Sequence, residues 1–359
     1  MPDFIHGLDL SELFYNEIVA PILKSHFPDL QYSAALTGWG SEVLGFDDVL
    51  STDHNWGLRF QLFLSAQDHE TYHDPINEML NKQLPSAFRG YPTNFTILVN
   101  EDQRAAGGTQ SAHNIDIETI KGFFSRYLGC DPYAEITAVD WLTFSEHKLL
   151  AVTSGKVFYD GLGEFELIRR WFSYYPRDVW LYMLATQWMK IFEEQAFVGR
   201  CGDVGDELGS MIIAARQVKN LMKLCFLMER KYAPYSKWFG TAFSRLNCAQ
   251  ELAPIFREVL QAKEWKGRQE SLAQAYEVAV RMHNAMKITF PVEEKAAQYY
   301  GRPYIVVGDG RHVGELMKAI TSEEVQKIKH RLGSVNQFID SNEQLDYLFL
   351  CKKLRELYV

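Results

Sequence analysis

The sequence predicts an α+β protein: an N-terminal mixed sheet with helices, followed by an α-helical bundle. Short β-branched and aromatic runs typical of strands are concentrated before about residue 160. From about Gly161 onward, long segments carry apolar residues at helical spacing. A chain of 359 residues is long for a single core. We therefore expect two domains, residues 1–160 and 161–359.

The N-terminal part begins with a helical pattern over Asp9–Phe27, in which Asp9 is a candidate N-cap and Pro21 should bend or interrupt the helix. The remaining elements predicted before residue 160 are strands at Gln31–Thr37, Phe60–Leu64, Phe95–Val99 and Asn114–Ile117, a helix at Asp74–Leu84 and a loop at Asn100–Ala112. The helix is expected to open with Asp74 as its cap and Pro75 in its first turn.

The second part is dominated by helices. Six of them are predicted at Glu164–Tyr174, Asp178–Phe197, Asp203–Tyr232, Ser236–Leu246, Ala249–Ala262 and Arg268–Lys287. Near the end of the chain, a lone strand is predicted at Tyr304–Val307, and further helices at Gly314–Ile320, Ser322–Arg331 and Asn342–Leu357.

Composition limits the classes of function. A content of 47% hydrophobic and 23% charged residues is ordinary for a globular protein, and a net charge of −9 argues against a broad nucleic-acid surface. The start Met1–Phe4 has no basic leader, and no apolar run is long enough to span a bilayer. Five widely spaced cysteines without a Cys-X-X-Cys motif are typical of reduced thiols. The expected location is the cytoplasm, with no membrane partner.

The stretch Gly38–Arg59, read as GWGSEVLGFDDVLSTDHNWGLR, carries the strongest chemical signal. Its glycines let a backbone approach a phosphate closely, and free N–H groups of the turn can bind phosphate oxygens. If Asp53 and Asn55 lie on a strand, they point the same way. A phosphate-binding turn beside a metal-binding acid is what nucleotidyl transfer needs.

This pattern resembles the nucleotidyltransferase superfamily that includes DNA polymerase beta and the aminoglycoside nucleotidyltransferases. Gly40-Ser41 matches the superfamily's Gly-Ser, and Asp53-His54-Asn55 matches its Asp-X-Asp. More closely, the chain resembles an uncharacterised bacterial branch, DUF4037. The matching segments are GSEVLGFD, STDHNWG, VDWLTFSEHKLL, FVGRCGDVGDELGS, YAPYSKWFGTAF and GSVNQFIDS. The helical half is similar to the C-terminal domains that cover the active site in aminoglycoside nucleotidyltransferases.

The resemblance implies Mg²⁺-dependent transfer of a nucleoside monophosphate, most simply AMP from ATP, to an unidentified acceptor. The acceptor, the preferred nucleoside triphosphate and the oligomeric state stay open. The implied roles are phosphate contacts for Gly40 and Ser41, Mg²⁺ ligation for Asp53, Asn55 and Asp116, and a general base among Glu193 and Glu194, with Glu194 the candidate. Lys237, within YAPYSKW, is the first choice for a cation that reaches phosphate.

The departure from the superfamily pattern is Asn55, where an aspartate is expected. An asparagine can ligate Mg²⁺ through its carbonyl oxygen but brings no charge. The chain therefore either works with one metal ion or binds nucleotide without turning it over. The alternative function is a catalytically weakened nucleotide-binding or interaction protein.

A third reading comes from His69–His73, HETYH, which spells the HEXXH motif of zinc hydrolases. The context argues against it, because Pro75 follows where the zinc-binding helix should continue and no third ligand is evident. The interpretation without a catalytic role is a polar loop and the start of a helix.

Basic residues in the helical half form one further pattern. Arg216, Lys219, Lys223 and Arg230 follow helical spacing and predict one stripe. Such a stripe can bind a triphosphate or an anionic acceptor, or it can be a solvated helix face.

Overall fold

The computed structural model describes residues 4–53, 56–96, 111–308 and 310–358. The chain divides into two compact units. The first, called here the sheet unit, contains residues 1–135 and 148–173; the second, the helical unit, contains residues 136–147 and 174–359. The sequence predicts a single boundary at residue 160, whereas the chain passes from one unit to the other three times.

The described residues of the sheet unit form seven strands. They are β1 (Tyr32–Leu36), β2 (Arg59–Leu64), β3 (Ala87–Phe88), β4 (Tyr91–Pro92), β5 (Asn94–Thr96), β6 (Ser111–Thr119) and β7 (Lys156–Asp160). Five of them form a mixed sheet in the order β5-β6-β2-β1-β7, while β3 and β4 form a separate hairpin. Strand β2 runs parallel to β6 and antiparallel to β1. The predicted strands at Gln31–Thr37, Phe60–Leu64 and Asn114–Ile117 are confirmed.

The helices that accompany these strands occur in the following chain order. They are α1 (Gly7–Phe14), α2 (Ala20–His26), α3 (Ala66–Gln83), α4 (Ile120–Leu128), α5 (Ala138–Thr143), α6 (Glu146–Thr153) and α7 (Phe165–Trp171). Of these, α5 belongs to the helical unit, and the change from the helical unit to the sheet unit at residues 147 and 148 falls within α6.

The first predicted helix is interrupted at its proline. A π-helical segment, Tyr15–Val19, separates α1 from α2, and Pro21 lies in the first turn of α2. Because proline has no N–H group, the regular bond to the carbonyl four residues earlier cannot form, which accommodates this change of helical register. Asp9 is not the N-cap, since α1 begins at Gly7 and Asp9 lies in its first turn.

Helix α3 begins earlier than the sequence predicts. The Oγ of Ser65 accepts a hydrogen bond from the Asp68 N–H, which caps the helix nine residues before the expected cap at Asp74. Pro75 therefore lies inside α3 rather than in its first turn. The prediction of Asp74 as the cap is wrong, because Pro75 is tolerated inside a longer helix and does not mark its first turn.

One face of the sheet packs against the first helices of the unit. Phe60, Leu62 and Leu64 of β2 lie on this face and pack with apolar side chains of α1, α2 and α3, including Phe14 and Leu80. Gln61 and Phe63, which lie between them, face the opposite side of the sheet and are also buried. This alternation places the polar positions of β2 and β6 on one shared face.

The helical unit continues with seven longer and four shorter helices among the described residues. The longer ones are α8 (Arg177–Glu194), α9 (Phe197–Asp203), α10 (Glu207–Met228), α11 (Ser236–Phe243), α12 (Ala249–Gln261), α13 (Trp265–Ala285) and α14 (Arg311–Lys318). The shorter ones are α15 (Glu323–Gln326), α16 (Val335–Phe338), α17 (Asn342–Asp346) and α18 (Leu348–Lys353), followed by a 3₁₀ turn over Leu354–Tyr358. All six helices predicted between Glu164 and Lys287 are present.

The C-terminal predictions need three corrections, the first being that the helix predicted over Ser322–Arg331 covers only α15 and ends at Gln326. The segment predicted as a lone strand, β9 (Ile305–Val307), pairs antiparallel with β8 (Ala296–Gln298) and therefore forms a hairpin. The long helix expected over Asn342–Leu357 is broken into α17, α18 and the 3₁₀ turn, because Tyr347 leaves the helical region with ψ of 95°. Among the helices that the structure describes, none has the length and apolar character needed to cross a bilayer.

Candidate functional site

The turn after β1 has the backbone that its glycines predict. Gly38 and Gly40 have φ of +87° and +135°, which favour glycine strongly. A Cβ on Gly38 would lie 2.1 Å from the hydroxyl of Tyr127, and one on Gly40 would lie 2.1 Å from Nη2 of Arg59. Conformation and space both favour glycine at position 38, whereas at position 40 the nearest atoms are the ends of the flexible Arg59 and Glu42 side chains, so the backbone conformation is the stronger reason.

Of the four N–H groups of this turn, two donate hydrogen bonds within the protein and two do not. Gly38 donates to the Ala151 carbonyl at 3.0 Å, and Trp39 donates to the Tyr127 hydroxyl at 3.1 Å. Within the part of the chain that the structure describes, the N–H groups of Gly40 and Ser41 have no acceptor. Both residues are partly exposed. The turn can therefore offer two backbone donors to a bound anion.

Arg59, at the start of β2, places a cation beside the same turn. Its guanidinium binds the Glu42 carboxylate at 2.7–2.8 Å and also donates to the Trp39 carbonyl. Burial raises the pKa of Glu42 although Arg59 opposes the shift. Neither residue was predicted from the sequence; the signal available was the acid directly after Gly40-Ser41 and the arginine at the end of the same stretch.

Asp53 does not lie on a strand. It ends a 3₁₀ turn over Val49–Asp53, and five residues separate it from the start of β2 at Arg59. The turn forms because the Asp48 carboxylate accepts hydrogen bonds from the N–H groups of Leu50 and Ser51, which hold the chain in a tight local conformation. The prediction that a strand orients Asp53 was therefore wrong. The side chain of Asp53 and all of Asn55 lie outside the described residues.

Asp116 lies on β6, as expected, and is exposed. Its register partner on β2 is Gln61, so the two side chains occupy neighbouring positions on the polar face. Together with His73, Asn77 and Arg126, Asp116 lines a groove of about 270 Å³. The carboxylate is thus available to a ligand that enters from solvent.

Glu118, two residues along the same face, is the acid that the sequence analysis missed. Burial raises its pKa to about 7, Arg126 opposes this shift and the charge of Asp116 adds to it. The Arg126 guanidinium binds the Glu118 carboxylate at 2.6 Å. The strand's alternation Asn-Ile-Asp-Ile-Glu was the available signal for a second acid on the same face as Asp116.

The donor chemistry near this face is oxygen-rich. Carboxylates such as that of Asp116 are hard donors, which suit Mg²⁺. No three His, Cys, Asp or Glu side chains in the described part of the chain lie close enough together to hold a metal ion. The side chain of Asp53 and the whole of Asn55, the other ligands predicted from the sequence, lie outside the described part.

The HETYH segment lies on a helix after all, within α3. The rings of His69 and His73 have centroids 5.0 Å apart. However, His69 Nε2 lies 3.2 Å from the Ile117 carbonyl and His73 Nδ1 lies 2.7 Å from the Asp74 carboxylate. With no third donor among the described residues, the two histidines have the spacing but lack the ligand set of a zinc hydrolase. That hypothesis predicts stoichiometric zinc that is lost in His69→Ala.

The helical unit holds the remaining candidates. Glu194 ends α8 and pairs with Arg216 at 2.7 Å. Lys237, in the first turn of α11, is exposed, and its Nζ lies 5.0 Å from the ring centroid of Trp238. Their roles toward a nucleotide, as general base and as phosphate-binding cation, stay predictions. Gly40, Ser41, Asp53 and Asp116 all belong to the sheet unit.

The predicted basic stripe consists of three residues rather than four. Arg216, Lys219 and Lys223 lie on α10, whereas Arg230 follows its end with φ of +53° and places its guanidinium over the rings of Tyr174 and Trp180. The helix ends at Met228, so the spacing that unites the four residues in the sequence stops before Arg230.

The structure also assembles a chain of hydrogen bonds that no motif indicated. His147 lies between the Ser145 hydroxyl, 2.8 Å from Nδ1, and the Asp346 carboxylate, 2.7 Å from Nε2. Ser145 is buried and directly precedes α6. The arrangement joins the start of α6 to α17 within the helical unit.

A comparison with family models gives one match. Residues 141–239 match the model described as Domain of unknown function (DUF4037). The DUF4037-matched segment runs from α5 into α11 and includes Glu194, Lys223 and Lys237, but it does not include Gly38–Arg59. No curated protein and no solved structure matches the chain. The description of DUF4037 carries no activity, so function has to be argued from the residues.

Proposed function

We propose that the sheet unit binds a nucleoside triphosphate with Mg²⁺ and transfers a nucleoside monophosphate, most simply AMP from ATP, to an acceptor hydroxyl. The observation that carries this proposal is the Gly38–Ser41 turn. It offers the N–H groups of Gly40 and Ser41 beside the guanidinium of Arg59, at the end of a strand in a mixed sheet. Donors and a cation at such a turn suit the phosphates of a nucleotide.

In this reaction an acceptor oxygen attacks the α-phosphorus. A new P–O bond forms, the bond to the bridging oxygen of the β-phosphate breaks, and pyrophosphate leaves with that electron pair. The acceptor loses its proton, for which Glu194 is the predicted base. The turn's contribution is to hold the phosphates and to offset the charge that develops on the leaving group.

Mg²⁺ would be held by Asp53 and Asp116, with the side-chain oxygen of Asn55 as an uncharged ligand. Bound there, it would supply positive charge that neutralises phosphate oxygens. Asp116 supports this assignment because its carboxylate is exposed on the strand that runs parallel to β2.

The proposal is tested with ATP labelled at the α-phosphate. We expect label transfer to an acceptor in a cell extract in the presence of Mg²⁺, and its loss in Asp53→Ala and in Asp116→Asn. The matched control is Asp131→Asn, because Asp131 is an acid of the same unit whose carboxylate pairs with Lys121. Absence of both Mg²⁺–ATP binding and transfer in the natural sequence would contradict the proposal.

The second candidate, a nucleotide-binding protein without turnover, is favoured by one specific residue, the uncharged Asn55. Under that hypothesis ATP raises the melting temperature of the protein, since only the folded state binds it, but no label is transferred. Asn55→Asp should then restore Mg²⁺ affinity and transfer. Robust turnover by the natural sequence would exclude this alternative.

A further inference from the structure

Four basic side chains of the helical unit line one cavity of about 220 Å³. Lys190 comes from α8, and Arg216, Lys219 and Lys223 come from α10. The facing wall is formed by the segment from α16 to Asp340. All four basic residues lie within the DUF4037-matched segment. A cavity of this size suits a small ligand.

Two of these amines bind backbone carbonyls. Nζ of Lys190 donates to the carbonyl of Gln337, and Nζ of Lys223 donates to that of Asn336 at 2.7 Å. Only 21% of the Lys223 side chain is exposed. Burial lowers the pKa of Lys190 and brings that of Lys223 to about 8. A neutral carbonyl offsets only part of the cost of moving an ammonium out of water, so the pair favours an anion nearby.

Among the described residues, three acids line the cavity, Glu193, Glu194 and Asp340, and they differ in their partners and exposure. Glu194 is already paired with Arg216 at 2.7 Å. Asp340 lies 2.7 Å from Lys219 and 4.0 Å from Lys223, so that one carboxylate serves two lysines. Its side chain is 77% exposed. Because Asp340 is already largely in water, moving it away from the lysines would cost little desolvation energy.

A second cavity of about 120 Å³ adjoins the first. Lys219, Lys223 and Asp340 line both cavities, so they form the wall that the cavities share. The second cavity adds the rings of Tyr235 and Phe239. Glu146 also lines it, and burial raises the pKa of this acid to about 7. The combined site has a cationic end and an aromatic end.

We propose that the helical unit binds a small organic phosphate, with the phosphate group at Lys190, Lys219 and Lys223 and the organic group toward Tyr235 and Phe239. In the free protein the Asp340 carboxylate occupies the place that the phosphate would take beside Lys219 and Lys223. It moves into solvent when the ligand binds. A dianionic phosphate suits this position better than a carboxylate, because its two charges can offset several ammoniums at once.

The proposal is independent of nucleotidyl transfer by the sheet unit, and its test is arranged accordingly. Binding of inorganic phosphate and of phenyl phosphate is measured by calorimetry in EDTA at constant ionic strength, so that no divalent ion supports binding elsewhere. We expect saturable binding of both, with phenyl phosphate at least threefold tighter. The lysine variants described next separate this site from the turn proposed in the sheet unit, whose phosphate donors are Gly40, Ser41 and Arg59.

Substitution of either lysine should weaken phosphate binding, and substitution of Asp340 should strengthen it. Lys219→Met and Lys223→Met should each weaken phosphate binding at least tenfold, because each removes a charge from the phosphate position. Asp340→Asn should strengthen it severalfold, since it removes the competing carboxylate. Lys266→Met is the matched control: Lys266 belongs to the same unit, and its Nζ lies 5.7 Å from the ring centroid of Trp265.

The outcomes decide the proposal in each case. Unchanged binding in both lysine variants, or binding weakened by Asp340→Asn, would overturn it. Equal affinities for phosphate and phenyl phosphate would remove the aromatic end of the site. Thermal unfolding of each variant shows whether it is folded, and Lys219→Met, at a more exposed lysine, decides the question if Lys223→Met is not.

Discussion

The polar groups of the sheet unit and those of the helical unit are assembled in opposite ways. In the sheet unit, the donors and the cation of the candidate site come from the single stretch Gly38–Arg59, and Asp116 joins from one neighbouring strand. In the helical unit, the cavity draws Lys190, Lys223 and Asp340 from positions up to 150 residues apart in the sequence.

This difference determines how each site depends on its surroundings. The turn of the sheet unit is held by backbone conformation and by close contacts of two glycines with Tyr127 and Arg59. The cavity of the helical unit is held by the packing of whole helices, and its lysines bind carbonyls of the short helix α16. Backbone substitutions should therefore damage the first site, and charge substitutions should change the second.

The largest effect is expected for Gly38→Ala. The substitution combines a strained φ with a Cβ 2.1 Å from the Tyr127 hydroxyl, and should lower the free energy of unfolding by about 4 kcal/mol. Gly163→Ala is the matched control, because Gly163 has a similar φ of +73° but nothing within 4 Å of the added Cβ. It should cost about 1 kcal/mol. Urea unfolding measures both, and equal losses would show that the contact with Tyr127 contributes nothing.

The next effect concerns Glu118 and the pH dependence of stability. The folded protein keeps the proton on Glu118 up to a pH of about 7, whereas the unfolded chain loses it near its ordinary pKa of 4.5. The native state is therefore favoured by the proton, and this contribution is lost as pH rises from 4.5 to 7. In Glu118→Gln the fall in the free energy of unfolding over this interval should be smaller by about 3 kcal/mol.

The measurement is urea unfolding at several pH values between 4 and 7.5. Glu78→Gln serves as the control, because the Glu78 side chain is 71% exposed and should not change the slope. Parallel pH profiles for Glu118→Gln and the natural protein would show that the Glu118 pKa is not raised in the folded state.

In the helical unit, Lys223 should show a dependence of the opposite sign. Its pKa is lowered from 10.5 to about 8, chiefly by burial, so the folded state releases the proton earlier than the unfolded chain. Its contribution to stability is present above pH 10.5 and is lost as pH falls through 8. Lys223→Met should remove a rise in the free energy of unfolding of about 2 kcal/mol between pH 8 and 10.

Unfolding in urea at pH 7.5 to 10 measures this rise, with Lys266→Met as the control. If the natural protein and Lys223→Met have the same slope, the amine of Lys223 is not buried as a cation, and the comparison between the two units loses its electrostatic basis.

The smallest effect on stability is expected for Glu194→Gln. The ion pair with Arg216 is weak in stability terms, because 53% of the Arg216 side chain is exposed, and its loss should cost about 0.5 kcal/mol. If Glu194 is the general base, the same substitution should lower the rate of nucleotidyl transfer about 100-fold and leave Mg²⁺–ATP binding unchanged. A normal rate would remove Glu194 from the mechanism.

Much of the fold could be predicted, because periodicity is a local property. Strand β2 and helix α13 were predicted nearly in full from the spacing of their apolar residues. The predictions of secondary structure were wrong where the same residue type fits two different local structures. Pro75 suggested a helix start but lies inside α3, and the Asx turn at Asp48 replaced the strand expected at Asp53.

The candidate sites divide in the same manner. Gly40 and Ser41 could be recognised because they lie in one continuous stretch with Asp53. Glu42 and Glu118 are marked only by their positions, next to Gly40-Ser41 and on the alternating strand β6, and neither position reveals the burial of the carboxylate or the arginine that binds it. The stripe on α10 was predicted, but its partners Lys190 and Asp340 were not.

What the sequence determined by itself was local: the positive φ of Gly38 and Gly40, the polar face of β6, and the helical character of the second half. These depend on backbone preferences and on side-chain periods of 2 and 3.6 residues. Only the tertiary structure decided which charges meet, placing Arg59 on Glu42 and Asp340 between Lys219 and Lys223. Pairing and burial depend on distances in space, which spacing along the chain does not specify.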